Sequence, residues 1–387
     1  MASDEVDMSK SNNPNRLPLQ QPSLPWRMTS SIVMGLTAAL SRGFLYGLNS
    51  VEVVGLDRFL EILDSRKDVE KRQRGLITVS NHISVLDDPI IWGVLPFKYA
   101  FNPSNHRWGL GAHDICYKNN LLGSFFYSGQ VLPTHRSQHS PHGGLFQPTV
   151  PQAIRLLSSQ PFVTPGPKGP EEPHDIQDPF TSGGLTFTTT GADSHAAPSA
   201  YARNRHSWVH VFPEGCVHQH PQMFLRYFKW GVSRLILESE PVPDVLPMFV
   251  DGAQRVMPED RSCPRFLPRF PVRFRVAFGD LLDAEATFGD LRARWRDLVR
   301  RERLKMNNKA LAMGELTEEL KYGKEAVDLR IEVARRVRDE VLKVRRSLGY
   351  PDEEEGSGFE LAETWARDPP KDRFKSNVDD SLVNKRK

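Results

Sequence analysis

Nine residues, Asn81-His82-Ile83-Ser84-Val85-Leu86-Asp87-Asp88-Pro89, constrain this chain more than any other stretch. Residues five apart on an α-helix point about 140° apart. His82 and Asp87 therefore meet only if a strand ends near Ser80 and the chain turns before a helix starts near Asp88. The apolar run from Gly75 to Ser80 supplies that strand, and Pro89 suits the first turn of the helix, where its missing N–H costs nothing. A carboxylate beside imidazole fixes the tautomer and leaves the other ring nitrogen free to take a proton from a hydroxyl. Asp88 is a rival partner, but the His-x4-Asp spacing favours Asp87. A buried histidine held by an aspartate in a turn is also an ordinary structural arrangement, so the pattern needs support from elsewhere.

Further apolar segments read as strands at 129–133, 208–212, 245–250 and 272–278, and helical segments fall at 88–95, 149–158 and 227–238. The alternation predicts an α/β domain with a mixed sheet flanked by helices. Its expected bounds are 26–282, after a Ser/Asn/Pro/Gln-rich, disordered 1–25. Residues 158–206 carry Pro, Gly, Ser, Thr and Asp without periodicity and are expected to be a disordered surface insertion. A helical region spans 283–350, and 351–387 reads as a mobile tail.

Three segments join the His82 motif. One runs from Gly129 to Arg136, one is Phe212-Pro213-Glu214-Gly215, and one is the strand Val245–Val250 with its internal Pro247. In this order they resemble the four blocks of the glycerolipid acyltransferase superfamily. The run Phe224–Ile236, with Ala112-His113-Asp114-Ile115-Cys116 and Leu45–Asn49, is similar to its phospholipid–lysophospholipid transacylase branch. The likeness covers roughly residues 40–157 and 207–280. It implies a glycerol-3-phosphate acyltransferase-like fold and ester exchange without coenzyme A, with His82 and Asp87 catalytic. It also implies an acceptor site from Arg136, Phe212, Pro213, Glu214, Gly215 and Pro247. Arg136 would offer a planar fork to a phosphodiester. Glu214 would contact the glycerol or orient Arg136, Gly215 would allow a positive-φ turn, and Pro247 would shape a strand edge near the acyl chain. Ser84 could act as a nucleophile, but the superfamily does not require one there. The implied partners are phospholipid and lysophospholipid, cardiolipin and phosphatidylcholine among them, and a mitochondrial membrane, outer or inner, on its intermembrane-space side, with higher-order complexes there. The same blocks also serve coenzyme A-dependent lysophospholipid acyltransferases, and a non-catalytic membrane scaffold is a more distant reading.

No cofactor is expected, because ester is exchanged for ester. No metal is expected either: His135, His139 and His142, with His218 and His220 later, lack the close four-ligand set that zinc prefers. A formal charge of +3 does not mark a nucleic-acid binder, and the three cysteines form no disulfide framework. The acidic start is neither a secretory signal nor an Arg-rich transit peptide, so a mitochondrial address would be internal. Without 18 uninterrupted apolar residues, no ordinary membrane span is expected. Residues 26–48 read instead as an interfacial helix, with Arg42 reaching lipid headgroups, and Leu121–Tyr127 is a second segment that could enter the same leaflet. Segment 291–346 holds seventeen basic against ten acidic residues, fitting either an anionic lipid surface or solvated helices packing one stripe on the core.

Overall fold

Five of the apolar segments become strands of one seven-stranded sheet in the computed structural model. It describes residues 23–353 apart from 138, 141–142, 160–185, 188–194, 197–204, 262, 265, 308–310 and 312. The strands are β1 (Ser50–Val54), β2 (Leu76–Val79), β3 (Arg107–Ala112), β4 (Val131–Thr134), a short pair β5 (Thr186–Phe187) and β6 (His195–Ala196), β7 (Trp208–Val211), β8 (Asp244–Asp251) and β9 (Arg273–Phe278). The sheet order is β1-β9-β8-β2-β7-β3-β4, with β5 and β6 forming a separate antiparallel pair. Strands β8, β2, β7, β3 and β4 all run parallel, β1 runs parallel to β9, and within this sheet, among the described residues, the β8–β9 contact alone is antiparallel. Every residue of β2 and of β7 is buried, the continuous apolar pattern of parallel strands covered on both faces.

The helices are α1 (Leu24–Leu48), α2 (Leu56–Ser65), α3 (Asp87–Gly93), α4 (His113–Cys116), α5 (Asn120–Ser128), α6 (Thr149–Leu157), α7 (Gly231–Glu238), α8 (Ala253–Val256), α9 (Ala284–Lys305), α10 (Glu318–Tyr322) and α11 (Lys324–Ser347). Helix α3 begins at Asp87, so Pro89 falls in its first turn. Helices α7, α9 and α11 share one hydrophobic core with the sheet, through residues such as Ile236, Trp295, Leu329, Val333 and Val337.

The basic excess of the C-terminal region is partly internal. Arg292, Arg330, Arg338 and Arg345 are buried, and their guanidinium groups donate to backbone carbonyls, those of Ile236 and Leu237, Leu320 and Lys321, Leu225 and Arg226, and Gln222, Met223 and Pro351 respectively. Burial lowers the pKa of Arg330 to about 10. These four arginines tie α7, α10 and the loop around Gln222–Arg226 to α9 and α11 rather than facing a lipid surface.

Helix α1 departs from the expectation drawn from apolar run length. It continues for 25 residues and is long and apolar enough to cross a membrane. The uninterrupted-run criterion missed this because Thr, Ser, Gly and Arg42 interrupt the apolar residues without breaking the helix. One side of α1 packs on the domain from Trp26 to Leu45. The opposite side exposes Leu24, Met28, Ile32, Leu36 and Leu40 at four-residue spacing, which places them along one slowly turning stripe. Arg42 does not reach outward: it donates to the carbonyls of Gly93, Val94 and Leu95 and so caps the end of α3.

The expected disordered start lies outside the described residues up to residue 22, and so does the expected tail from residue 354 onward. Most of the 158–206 insertion also lies outside them. Its two ends meet: the His206 N–H donates to the Ser158 carbonyl at 3.1 Å, and the Ser207 N–H to the Leu156 carbonyl at 2.7 Å.

Candidate active site

The parallel strands direct their carboxyl ends to one side of the domain, where open α/β sheets hold their sites. His82 follows β2, Glu214 follows β7, Asp114 follows β3 and Arg136 follows β4, so all four emerge at that end.

His82 and Asp87 meet as their spacing predicts. His82 Nδ1 lies 2.8 Å from Asp87 Oδ2, and the same oxygen accepts the backbone N–H groups of Ile83 at 2.7 Å and Ser84 at 2.8 Å. Asp87 is fully buried, while the His82 side chain keeps 23% of its surface exposed. The carboxylate thus fixes the turn and the ring together and leaves Nε2 of His82 for proton transfer. The ring lies stacked on Phe212, with centroids 4.5 Å apart, and Phe212 meets the edge of His210. His210 is locked between the Thr78 and Ser80 hydroxyls, and burial lowers its pKa to about 3, so it is a neutral part of the wall.

The rivals within the motif are occupied elsewhere. Asp88 accepts from the Trp92 indole and pairs with Arg107, which holds its carboxyl below the usual range despite burial pushing the other way. Ser84 is buried, and its hydroxyl accepts the Leu86 N–H at 3.3 Å.

The backbone of His82 is clamped from both directions. Its N–H donates to Glu214 Oε1 at 2.9 Å, and its carbonyl accepts the His218 N–H at 2.8 Å. The other Glu214 oxygen accepts the Arg226 N–H at 3.2 Å, and the Arg226 guanidinium donates to the Glu214 carbonyl at 3.0 Å. Glu214 is buried, and burial raises its pKa to about 8, although the two N–H bonds oppose that rise. Its carboxyl therefore faces the backbone of the motif, not Arg136. Gly215 adopts φ of 67°, the left-handed turn expected of it, and Phe212 and Pro213 supply the carbonyls that close this turn and receive the Lys229 N–H. Asn81 completes the frame by exchanging two 2.8 Å bonds with the backbone of Val250 on β8.

Arg136 is paired with Asp114 through Nε at 2.9 Å and through a second, parallel bond from Nη2. The arginine holds the Asp114 carboxyl below its usual range. The fork expected to bind phosphate is thus set by a carboxylate, and about a third of its side chain remains exposed. Pro247 is buried in β8, an interior strand, and shapes no sheet edge. It falls one residue before pairing with β9 begins, where a missing ladder donor is tolerated.

No group of metal-ligating side chains occurs among the described residues. His135 stacks on His113 and contacts the Ser140 hydroxyl, and His142 lies outside the described residues. Sequence reasoning gave Arg226, His210 and Arg107 no role at the site and weighed His218 only as a metal ligand. Asn81, Asp114 and Arg226 sat in motif segments already singled out, and His210 in a predicted strand.

The mixed sheet carries at its carboxyl end a histidine held by a buried aspartate, with the imidazole partly exposed, an arrangement able to move a proton to and from a hydroxyl. The chain is 36% identical to tafazzin of Saccharomyces cerevisiae over 346 residues, 87% of this chain and 81% of that protein. It is 31% identical to tafazzin of Drosophila melanogaster over 62% of this chain and 48% of that protein. No protein-family model matches the chain. Among solved structures it is similar to the 1-acyl-sn-glycerophosphate acyltransferase PlsC of Thermotoga maritima, at a TM-score of 0.38 and 14% identity over 74% of this chain and 83% of that one. The chain belongs to the tafazzin family and is an acyltransferase.

Proposed function

We propose that the protein moves acyl groups between phospholipid and lysophospholipid without coenzyme A, with cardiolipin as the remodelled lipid, at a mitochondrial membrane facing the intermembrane space. The observation that carries this reading is the 2.8 Å His82–Asp87 pair at the open end of the sheet. His82 Nε2 takes the proton as the lysolipid hydroxyl forms its bond to the donor ester carbonyl, and a tetrahedral intermediate results. When the old C–O bond breaks, the imidazolium returns the proton to the departing lysolipid oxygen, so neither charge nor cofactor is left over. Asp87 stabilises the imidazolium between the two steps, as carboxylates do in hydrolase triads.

Arg136 is assigned to the acceptor phosphate, with Asp114 as the group that orients its fork, and Phe212 forms the floor under His82. Glu214, Pro213 and Gly215 serve the same site from beneath by fixing the motif's backbone. The packing of α1 along the domain from Trp26 to Leu45 favours a helix lying in one leaflet over one that spans.

Acylation of lysocardiolipin, measured with labelled phosphatidylcholine as donor with and without coenzyme A and, in a third arm, with labelled acyl-coenzyme A as donor, tests the reading. Equal rates from phosphatidylcholine in the first two arms are expected. Acylation only in the acyl-coenzyme A arm would replace it with a coenzyme A-dependent acyltransferase.

A further inference from the structure

We propose that the cleft at the carboxyl end of β8 binds the phosphate of an anionic membrane-lipid headgroup, as a site separate from the His82–Asp87 pair. This rests on the reading that the enzyme works at a bilayer. The cleft has a volume of about 510 Å³, and Asp251, Arg255, Pro271, Arg273, Arg275 and Tyr350 line it. Three guanidinium groups converge there against two carboxylates. Arg255 contacts Asp251 at 3.3 Å and the Arg273 carbonyl at 2.6 Å, while Arg273 and Arg275 share Glu52 at 2.8 and 3.2 Å. One positive charge is left over, on side chains whose planar forks suit phosphate oxygens. Arg255 and Arg273 keep at least half of their side-chain surface exposed, so their forks open to solvent.

The surroundings select a lipid as the source of that phosphate. The loop leading into Pro271 exposes Phe266 at 81%, Leu267 at 55% and Phe270 at 55%. The Phe270 ring meets the ring of Phe44 edge-on at 6.5 Å. Phe44 lies one turn beyond Leu40, where the exposed apolar stripe of α1 ends. The loop therefore extends the stripe to the rim of the cleft. An apolar surface bordered by arginines is the profile of a protein seated in a leaflet, with its cations at headgroup depth. Val250, whose backbone is held by Asn81, immediately precedes Asp251. The cleft and His82 thus sit at the same end of the sheet, and a lipid held in the cleft would keep that end against the membrane.

The test is co-sedimentation of the full chain with vesicles of phosphatidylcholine alone and of phosphatidylcholine mixed with phosphatidylglycerol. The R255Q/R273Q variant is expected to bind the mixed vesicles more weakly by roughly fivefold for each arginine removed, and the neutral vesicles as the parent does. F266S is expected to weaken binding to both. R300Q/R335Q, which removes the same charge from exposed positions on α9 and α11, is expected to match the parent. An equal loss in R300Q/R335Q, or parental binding by R255Q/R273Q with an unchanged melting temperature, would overturn the proposal. Saturable binding of inorganic phosphate that R255Q/R273Q abolishes, without any vesicle effect, would assign the cleft to the free anion and overturn it too. Acyl transfer by the parent is scored separately, so failure of the transacylase reading leaves the vesicle comparison intact.

Discussion

Glu214 holds the backbone of His82: one carboxyl oxygen accepts the His82 N–H at 2.9 Å, and the other accepts the N–H of Arg226 at 3.2 Å. Arg226 is held in turn by α11, because Arg338 donates to the carbonyls of Leu225 and Arg226. A C-terminal helix far along the chain therefore sets the position of the motif's histidine through two residues. Above about pH 8, where the Glu214 carboxyl is ionised, Glu214→Gln turns one accepting oxygen into an amide donor facing an N–H donor. The expected cost is about 1–3 kcal/mol of stability, with kcat falling and KM for the lysolipid little changed. A variant in which KM alone rises would mark Glu214 as a substrate contact instead.

His82→Ala should lower transfer by about 10²–10⁴-fold, the usual contribution of a general base. Asp87→Asn should approach the same loss while also destabilising the turn, because one Asp87 oxygen serves the ring and two backbone N–H groups. Single-turnover assays and denaturant melts separate the two effects. Near-parental transfer by the His82 variant would end the assignment of the site.

Stability should peak near neutral pH. Burial lowers His106, His210 and His218 to about 3 from their ordinary 6.5. The folded state keeps them neutral, so their contribution is complete above about pH 6.5 and is lost as pH falls toward 3. Glu214 acts in the opposite sense. Its folded pKa of about 8 lies above the ordinary 4.5, so its contribution is complete below about pH 4.5 and is lost as pH rises through about 8. Each group changes stability by at most about 1.4 kcal/mol per pH unit. Burial lowers His206 in the same way, to about 4, and four histidines against one glutamate make the acid side steeper. Urea midpoints measured across this range check the asymmetry, and a midpoint level from about pH 6.5 down to about 5 would contradict it.

The parts of this architecture that repeat an apolar pattern were legible in the sequence. Strands β2, β4, β7, β8 and β9 are short buried runs closed by turn residues, and the His-x4-Asp spacing forced a strand–turn–helix that the structure contains. Strand β1 escaped because Glu52 interrupts it, and β3 because Arg107 and two glycines break its apolar run. The buried arginines escaped for a different reason. A buried guanidinium is solvated by carbonyls that only the tertiary fold brings to it, and nothing local in an Arg-rich helix distinguishes Arg338 or Arg345 from a solvent-exposed neighbour. Likewise, Arg136 reads as an open phosphate fork until the fold brings Asp114 to it from the end of the adjacent strand.

Replacing residues 160–204 with a short glycine–serine turn should leave a folded, active enzyme. The bonds from His206 to Ser158 and from Ser207 to Leu156 bring the two ends of the insertion together, so a few residues suffice to close the gap. Shortening a loop also lowers its closure entropy only slightly, by about 0.6 kcal/mol per halving. A melting temperature within a few degrees of the parent is the expected outcome. Loss of folded protein would show that the insertion supplies core after all.

Replacing Ile32, Leu36 and Leu40 together by glutamine should detach the protein from vesicles without unfolding it. All three side chains are more than half exposed, so they contribute little to the domain's own core, and surface changes of this kind usually stay within about 0.5 kcal/mol each. In a leaflet each would instead be buried, at about 1.5–3 kcal/mol per side chain, and loss of all three should weaken binding a hundredfold or more. A helix that crossed the bilayer would have to leave its packing on α3 and α5 and free Arg42 from the carbonyls of Gly93, Val94 and Leu95. Exposing that guanidinium to hydrocarbon costs roughly 2.5–3.5 kcal/mol on insertion scales. Protease access to tags placed at residues 1 and 387 reports the topology directly. Both tags are expected on the same side of the membrane, and tags protected on opposite sides would mean that α1 spans.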